Sequence, residues 1–260
     1  MKGLLFMFAV SLPFVTHQCA YAALKTQTVE YKQADTVLEG YLAYDDTLKE
    51  KAPAVIIVHE WTGLGPYVKQ RAEQLAGLGY VAFAIDIYGK GIRPTNAEDA
   101  AKQASIYRQD RKLMRSRALA GLEEVKRLPF VDAQRIAAMG YCFGGGVVLE
   151  MARSGADLKG VVSFHGNLDT PHPEDAKNIK AKVLVLHGAD DHYVTAEQVL
   201  VFENEMRNAK VDWELDMYGN AVHSFTNPAS GNDPSKGVAY NKEADVRSWK
   251  RMRSFFKEIF

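Results

Sequence analysis

The spacing of apolar and polar residues changes along the chain, and this change predicts the fold class. Segments 28–31 and 37–44 alternate apolar and polar residues, which is typical of the edge strands of a hairpin. Several later apolar runs are continuous, as in strands that are buried on both faces of a sheet. The later strands are predicted at 54–58, 80–87, 135–139, 160–164, 182–186 and 211–217.

Helical segments separate these later strands. They are predicted at 66–78, 95–127, 144–153, 195–208 and 235–260. Thr95 with Glu98, and Thr195 with Gln198, have the spacing of a capping box at a helix N-terminus. Strands that alternate with helices pair in parallel through right-handed crossovers. We therefore predict one α/β domain over residues 23–260, with a mostly parallel central sheet, helices on both faces and no large cap domain.

The first residues differ in kind from the rest of the chain. Lys2 gives a positive start, residues 4–15 are mostly apolar, and Ala20-Tyr21-Ala22 has the small-x-small pattern of a cleavage site. This layout predicts a signal peptide at 1–22 and an exported protein, periplasmic or secreted, without stable membrane insertion after cleavage. An uncleaved anchor is the alternative, although the apolar run is short for a membrane span.

Composition narrows the classes of function. The 260 residues are 47% hydrophobic, enough for one sizeable core, and 32 Lys and Arg balance 32 Asp and Glu. Without net positive charge, neither nucleic acid nor an anionic membrane surface is an expected partner. Of the two cysteines, Cys19 would leave with the signal peptide, so Cys142 would remain alone. An unpaired thiol in an oxidising compartment indicates reactivity, with a buried structural cysteine as the alternative.

Cys142 lies in a motif that is typical of a nucleophile. The run Gly140-Tyr141-Cys142-Phe143-Gly144 follows a predicted strand and opens a predicted helix, as in the Gly-x-nucleophile-x-Gly elbow, with cysteine in place of serine. The nucleophile occupies a strained turn, and bulky residues two positions away would clash with the crossing backbone. The helix N-terminus stabilises negative charge and offers amide N–H groups to an oxyanion. A tight strand–helix packing turn is the alternative.

The order of residues along the chain adds an acid and a base. Asp190 and Asp191 follow a buried strand, and His223 follows the last predicted strand. This is the order nucleophile, acid, base of α/β-hydrolases. Either aspartate is a candidate, and the spacing from Gly188 favours Asp191. His223 would take the thiol proton and be held by the carboxylate, unless it is an isolated surface histidine.

Several separate motifs together resemble the dienelactone hydrolase family, over nearly all of the predicted mature chain. They lie, in family order, at residues 59–63, 86–89, 140–145, 191–194 and 223–225. The resemblance implies an α/β-hydrolase fold and a triad of Cys142, His223 and Asp191. It also implies a glutamate beside the nucleophile, which Glu60 matches. The oxyanion hole would be the backbone N–H groups of Phe143 and Trp61.

The chain departs from this family where the substrate carboxylate is held. Dienelactone-cleaving members use two arginines, and Lys90 and Asn227 stand at those positions. Lysine keeps the charge without the bidentate fork, and asparagine loses the charge, although Arg93 is near enough in sequence to substitute. The substrate-binding candidates are Tyr88, Lys90, Arg93 and Asn227, and the two replacements put dienelactone in doubt as the natural substrate.

The leading hypothesis is an exported hydrolase of small carboxylic esters or lactones that forms a thiol-acyl intermediate. It requires no metal or organic cofactor, since the histidines and the lone cysteine have no zinc-site spacing. The alternative from another class is a binding or redox-sensing protein on a hydrolase scaffold. A further alternative is cleavage of another acyl bond, such as a peptide.

Overall fold

The computed structural model of the protein describes residues 23–260. The predicted signal peptide, its cleavage site and Cys19 lie outside the described residues. Within 23–260, no helix combines the length and the apolar character that crossing a membrane requires.

One eight-stranded sheet organises the described residues, and its strand order is β1-β2-β4-β3-β5-β6-β7-β8. β2 pairs antiparallel with β1 and with β4. The remaining neighbours in this order, β4-β3-β5-β6-β7-β8, all pair in parallel. The strands are β1 (Leu24–Gln33), β2 (Thr36–Asp45), β3 (Ala52–Val58), β4 (Val81–Ile85), β5 (Val131–Tyr141), β6 (Gly160–Phe164), β7 (Lys182–Gly188) and β8 (Trp213–Tyr218).

Helices cover both faces of this sheet. They are α1 (Pro66–Ala76), α2 (Ala97–Gln109), α3 (Arg111–Lys126), α4 (Phe143–Arg153), α5 (Ala196–Ala209) and α6 (Lys242–Ile259). Successive residues of a strand point to opposite faces, so Ile56 packs into one apolar cluster and Ile57 into the other. Leu122 of α3 belongs to the first cluster, and Leu75 of α1 to the second. The predicted α/β architecture is confirmed, and residues 23–260 contain no large cap domain.

The long helix predicted over 95–127 is wrong, because two helices meet at Asp110. The side chain of Asp110 accepts a hydrogen bond from the N–H of Leu113 at 2.8 Å, which caps the start of α3. The capping box predicted at Thr95 is also displaced by one residue. Asn96 is the N-cap of α2, and it accepts from the N–H of Asp99 at 2.9 Å. Side chains that bond nearby N–H groups set these boundaries, which apolar spacing does not reveal.

The start predicted for the last helix is wrong as well. Residues Pro234–Lys236 form a separate short 3-10 turn, Gly237 follows it with φ 77°, and α6 begins only after its N-cap Asn241. The capping box predicted at Thr195 and Gln198 is confirmed, with both reciprocal bonds present. The predicted hairpin is also confirmed, and its strands are longer than the alternating segments.

Removing the cap at the break between α2 and α3 should destabilise the fold. We expect Asp110→Ala to lower the free energy of unfolding by about 1 kcal/mol, because the Leu113 N–H loses its acceptor. Asp110→Asn keeps a capping oxygen and is the matched control. Urea titration of both variants measures the difference, and equal stability of wild type and Asp110→Ala would contradict the assigned cap.

Candidate active site

The carboxyl ends of the parallel strands meet at one edge of the sheet, and Cys142 lies there between β5 and α4. It is the N-cap residue of α4 and has φ 53° and ψ −116°. A non-glycine residue with positive φ is strained, and such strain is characteristic of a nucleophile elbow. The Cys142 side chain is buried, with only 8% of the residue exposed to solvent.

Close backbone contacts explain the glycines around Cys142. A Cβ atom on Gly140 would lie 2.1 Å from the carbonyl oxygen of Gly144, and one on Gly144 would lie 2.3 Å from that of Val58. Real Cβ atoms essentially never come so near to backbone atoms. The glycines therefore allow β5, α4 and the end of β3 to approach closely enough to hold the turn.

His223 and Asp191 are brought together from two loops. Nδ1 of His223 lies 2.8 Å from Oδ2 of Asp191. The other carboxylate oxygen, Oδ1, accepts from the backbone N–H groups of Tyr193 at 2.8 Å and Val194 at 3.2 Å. The carboxylate is thus held in one orientation. Of the two candidate aspartates, Asp191 makes the contact with His223, while Asp190 is exposed.

The electrostatics of this group favour a protonated His223. Burial alone lowers the pKa of His223, but the electrostatic effects of Cys142 and Asp191 and the hydrogen bond to Asp191 outweigh it and raise the pKa to about 10. Burial alone raises the pKa of Asp191, but the hydrogen bond and the charge of His223 outweigh it and hold the pKa below its usual value. Both directions are consistent with an imidazolium that contacts the carboxylate of Asp191.

Glu60 is a second carboxylate at this edge, and it is half-buried. Its Oε1 accepts from the hydroxyl of Ser224 at 3.1 Å, and its Oε2 accepts from the side-chain amide of Asn227 at 2.7 Å. Burial raises the pKa of Glu60. The two hydrogen bonds and the charge of His223 lower it, but burial has the larger effect. Asn227, one of the substrate-binding candidates, is therefore engaged with Glu60 in this structure.

Tyr88 and Trp61 lie beside the elbow and contact each other. The hydroxyl of Tyr88 donates to the carbonyl oxygen of Trp61 at 2.8 Å, and its ring lies 5.5 Å from that of Phe143 between centroids. His59 connects the loop after β3 to the loop after β4, because its Nε2 accepts a hydrogen bond from the N–H of Ile87 at 3.2 Å. Within residues 23–260, the backbone N–H groups of Trp61 and Phe143 have no hydrogen-bond acceptor.

The remaining substrate-binding candidates have protein partners. The ammonium of Lys90 forms a salt bridge with Glu30 on β1. The guanidinium of Arg93 donates to the carbonyl oxygens of Leu64 at 3.1 Å and Gly89 at 3.2 Å, which ties the loop after β4 to the loop before α1. Their roles in substrate binding stay predictions.

Three residues near Cys142 and His223 were missed by sequence reasoning: Ser224, His165 and Thr226. Ser224 bonds Glu60, as described above, and it has φ 61°. His165 directly follows β6 and has φ 39°, and its Nδ1 lies 3.2 Å from the backbone nitrogen of Cys142. The position of His165 after a buried strand is the same signal that identified Asp191, so the sequence contained a clue to it.

A strained residue between a strand and a helix, followed along the chain by a carboxylate and a paired histidine, defines the α/β-hydrolase class. Residues 38–260 match the sequence profile of the dienelactone hydrolase family, and the chain belongs to that family. The family expected from the motifs is thereby confirmed, and the chain is an enzyme of the hydrolase class.

Similar proteins agree with this family. The solved structure titled m3DLH is 41% identical, with a TM-score of 0.88, over 92% of this chain and 99% of that one. A dienelactone hydrolase-like promiscuous phosphotriesterase from metagenomic libraries is 38% identical, with a TM-score of 0.86, over 92% and 99% of the two chains. A protein of Aquifex aeolicus provisionally named carboxymethylenebutenolidase is 27% identical over 89% of this chain and 97% of its own.

The close backbone contact at the elbow gives a stability prediction. We expect Gly144→Ala to lower the free energy of unfolding by about 3 kcal/mol, because the new Cβ would overlap the backbone of Val58. Gly219→Ala is the matched control, since a Cβ there meets no atom within 4 Å. Thermal and urea unfolding of the two variants provide the measurement. Equal stabilities would show that the backbone at the elbow moves aside at little cost.

Proposed function

We propose that this protein hydrolyses small carboxylic esters or lactones, with Cys142 as nucleophile, His223 as general base and Asp191 as the carboxylate that orients it. The observation that carries the proposal is the 2.8 Å contact between His223 and Asp191 at the elbow of Cys142. The name carboxymethylenebutenolidase of the Aquifex aeolicus relative supports the same class of reaction.

In the acylation step, the Cys142 thiolate attacks the carbonyl carbon, and the carbonyl electron pair moves to oxygen. The backbone N–H groups of Trp61 and Phe143 stabilise this oxyanion. When the tetrahedral intermediate collapses, the bond to the leaving alkoxide breaks and His223 gives that oxygen its proton. A thioester on Cys142 and an alcohol result.

In the deacylation step, His223 takes a proton from water while the water oxygen attacks the thioester carbonyl. Collapse of this second intermediate releases the carboxylic acid and restores the thiolate with its imidazolium partner. Asp191 remains ionised and keeps the proton of His223 Nδ1 directed toward itself. We also propose that Glu60, whose pKa burial raises, accepts the proton of the Cys142 thiol and passes it to His223 before the attack, which leaves the thiolate and the imidazolium that acylation requires.

The contacts of three substrate-binding candidates favour substrates without a carboxylate. Among residues 23–260, Lys90 is paired with Glu30, Arg93 is bonded to backbone carbonyls, and Asn227 donates to Glu60. A substrate carboxylate would have to displace one of these partners. We therefore propose neutral esters and lactones as the preferred class, acted on after export of the chain.

A second candidate activity is cleavage of phosphotriesters. The 38% identical metagenomic relative is named a promiscuous phosphotriesterase. A thiolate beside two backbone N–H groups is also suited to attack a phosphoryl centre, whose oxygen would occupy the same N–H groups. Paraoxon and p-nitrophenyl acetate release the same chromophore, so one assay compares both activities and their dependence on Cys142.

Removal of the nucleophile or the base should abolish ester hydrolysis. We expect Cys142→Ala and His223→Ala each to lower kcat for p-nitrophenyl acetate by roughly 10⁴-fold or more, as triad deletions do. Circular dichroism and thermal unfolding control for folding. A folded Cys142→Ala protein with wild-type activity would refute the mechanism and leave the binding or redox-sensing alternative.

Asp191 and its neighbour Asp190 provide a matched pair of variants. We expect Asp191→Asn to lower kcat by about 10⁴-fold, because the amide would favour the wrong tautomer of His223. Asp190→Asn should retain activity, since Asp190 is exposed. Steady-state kinetics of the two proteins provide the measurement. An equal loss in both would show that the charge of the loop, rather than the contact with His223, matters.

A further inference from the structure

His165 is a second buried histidine beside the proposed triad, and the mechanism above does not use it. Its ring is inaccessible to solvent and lies 5.3 Å from the ring of His223 between centroids, in an edge-to-face arrangement. Both of its nitrogens are within hydrogen-bonding distance of other groups. Nδ1 lies 3.2 Å from the backbone nitrogen of Cys142, and Nε2 lies 2.8 Å from Oγ1 of Thr226. The N–H of Cys142 also donates to the carbonyl oxygen of Phe164 at 3.0 Å, so His165 shares this donor with β6.

These two contacts determine the tautomer of His165. The backbone nitrogen of Cys142 is a donor only, so Nδ1 must accept and the ring proton must be on Nε2. Nε2–H then donates to Thr226. Burial holds the pKa of His165 well below its usual value, and the charge of His223 acts in the same direction, so the ring is neutral.

Thr226 connects this histidine to the segment that carries the proposed base, because it lies three residues after His223. Its Oγ1 also accepts from the hydroxyl of Tyr67 at 2.6 Å, and its carbonyl oxygen accepts from Arg71 at 3.1 Å. Thr226 is fully buried and is anchored to α1 from the other side. Movement of Thr226 would therefore require several buried bonds to break together.

We propose that His165 is a positioning residue that couples the nucleophile elbow to the loop of His223. One imidazole bonds the backbone amide of Cys142 and the side chain of Thr226 at the same time, so the distance between nucleophile and base is held by a rigid ring. This inference rests on the proposed function, because it assumes that Cys142 and His223 react together. A displacement of about 1 Å between such groups costs up to ~100-fold in rate.

The test separates the hydroxyl of Thr226 from its volume. Thr226→Val keeps the shape and removes the acceptor, whereas Thr226→Ser keeps the acceptor. We expect Thr226→Val to lower kcat for p-nitrophenyl acetate by about 10- to 100-fold with KM nearly unchanged, and Thr226→Ser to retain most activity. We also expect slower alkylation of Cys142 by iodoacetamide in Thr226→Val.

Tyr67→Phe is the matched control, because it removes the other hydroxyl bonded to Thr226 and leaves the contact with His165 intact. We expect its kcat to stay near wild type. Equal losses in Tyr67→Phe and Thr226→Val would mean that the bonding of Thr226 in general, rather than its link to His165, matters, and would overturn the inference. Wild-type kcat in Thr226→Val would do the same.

His165→Asn tests the other half of the bridge. The asparagine oxygen can accept from the Cys142 amide as Nδ1 does, and asparagine tolerates the positive φ of this position, but it is too short to bond Thr226. We expect the same fall in kcat as in Thr226→Val and no additional loss in the double variant. If His165→Asn does not fold, the Thr226 variants still decide the question. If wild type hydrolyses no ester, the proposed function fails instead, and normal alkylation of Cys142 would identify that case.

Discussion

The structure depends on one close contact, the approach of the elbow backbone to the end of β3. Gly144 lies against the carbonyl of Val58 with no room for a Cβ, and Gly140 lies equally close to Gly144. This contact brings the start of α4 and the loop after β3 into one small volume. Within residues 23–260, the backbone N–H groups of Trp61 and Phe143 have no hydrogen-bond acceptor, and this contact holds the segments that carry them beside Cys142. A side chain at either glycine would push these segments apart.

A second constraint is the short segment 223–227, in which the polar side chains contact three different loops of the fold. This segment follows β8 and is reached by the loops after β3, β6 and β7. His223, Ser224, Thr226 and Asn227 bond, in turn, to Asp191, Glu60, His165 and again Glu60. Buried polar groups need such partners, because an unpaired one is costly. The segment therefore connects polar residues in the loops after β3, β6 and β7 through hydrogen bonds.

The fold and the core of the candidate site could be predicted from the sequence because both rest on local signals. Continuous apolar runs identified the buried strands, and the glycines around Cys142 identified the elbow. Helix boundaries were missed at Asp110 and Asn241, where a single side chain bonds a nearby N–H and stops or starts a helix. Contacts between distant segments, such as His165 with Thr226 or Asn227 with Glu60, could not be predicted from the sequence either. They depend on which loops the sheet order brings together.

The break at Asp110 gives α2 and α3 separate ends without separating their packing. α2 carries Tyr107, whose hydroxyl donates to the carbonyl oxygen of Tyr88 at 3.1 Å. Tyr107 and Tyr88 lie in the same apolar cluster as Met114 and Leu122 of α3. A substitution that moves Tyr107 therefore acts on the residues beside the elbow and on the packing of α3 at the same time.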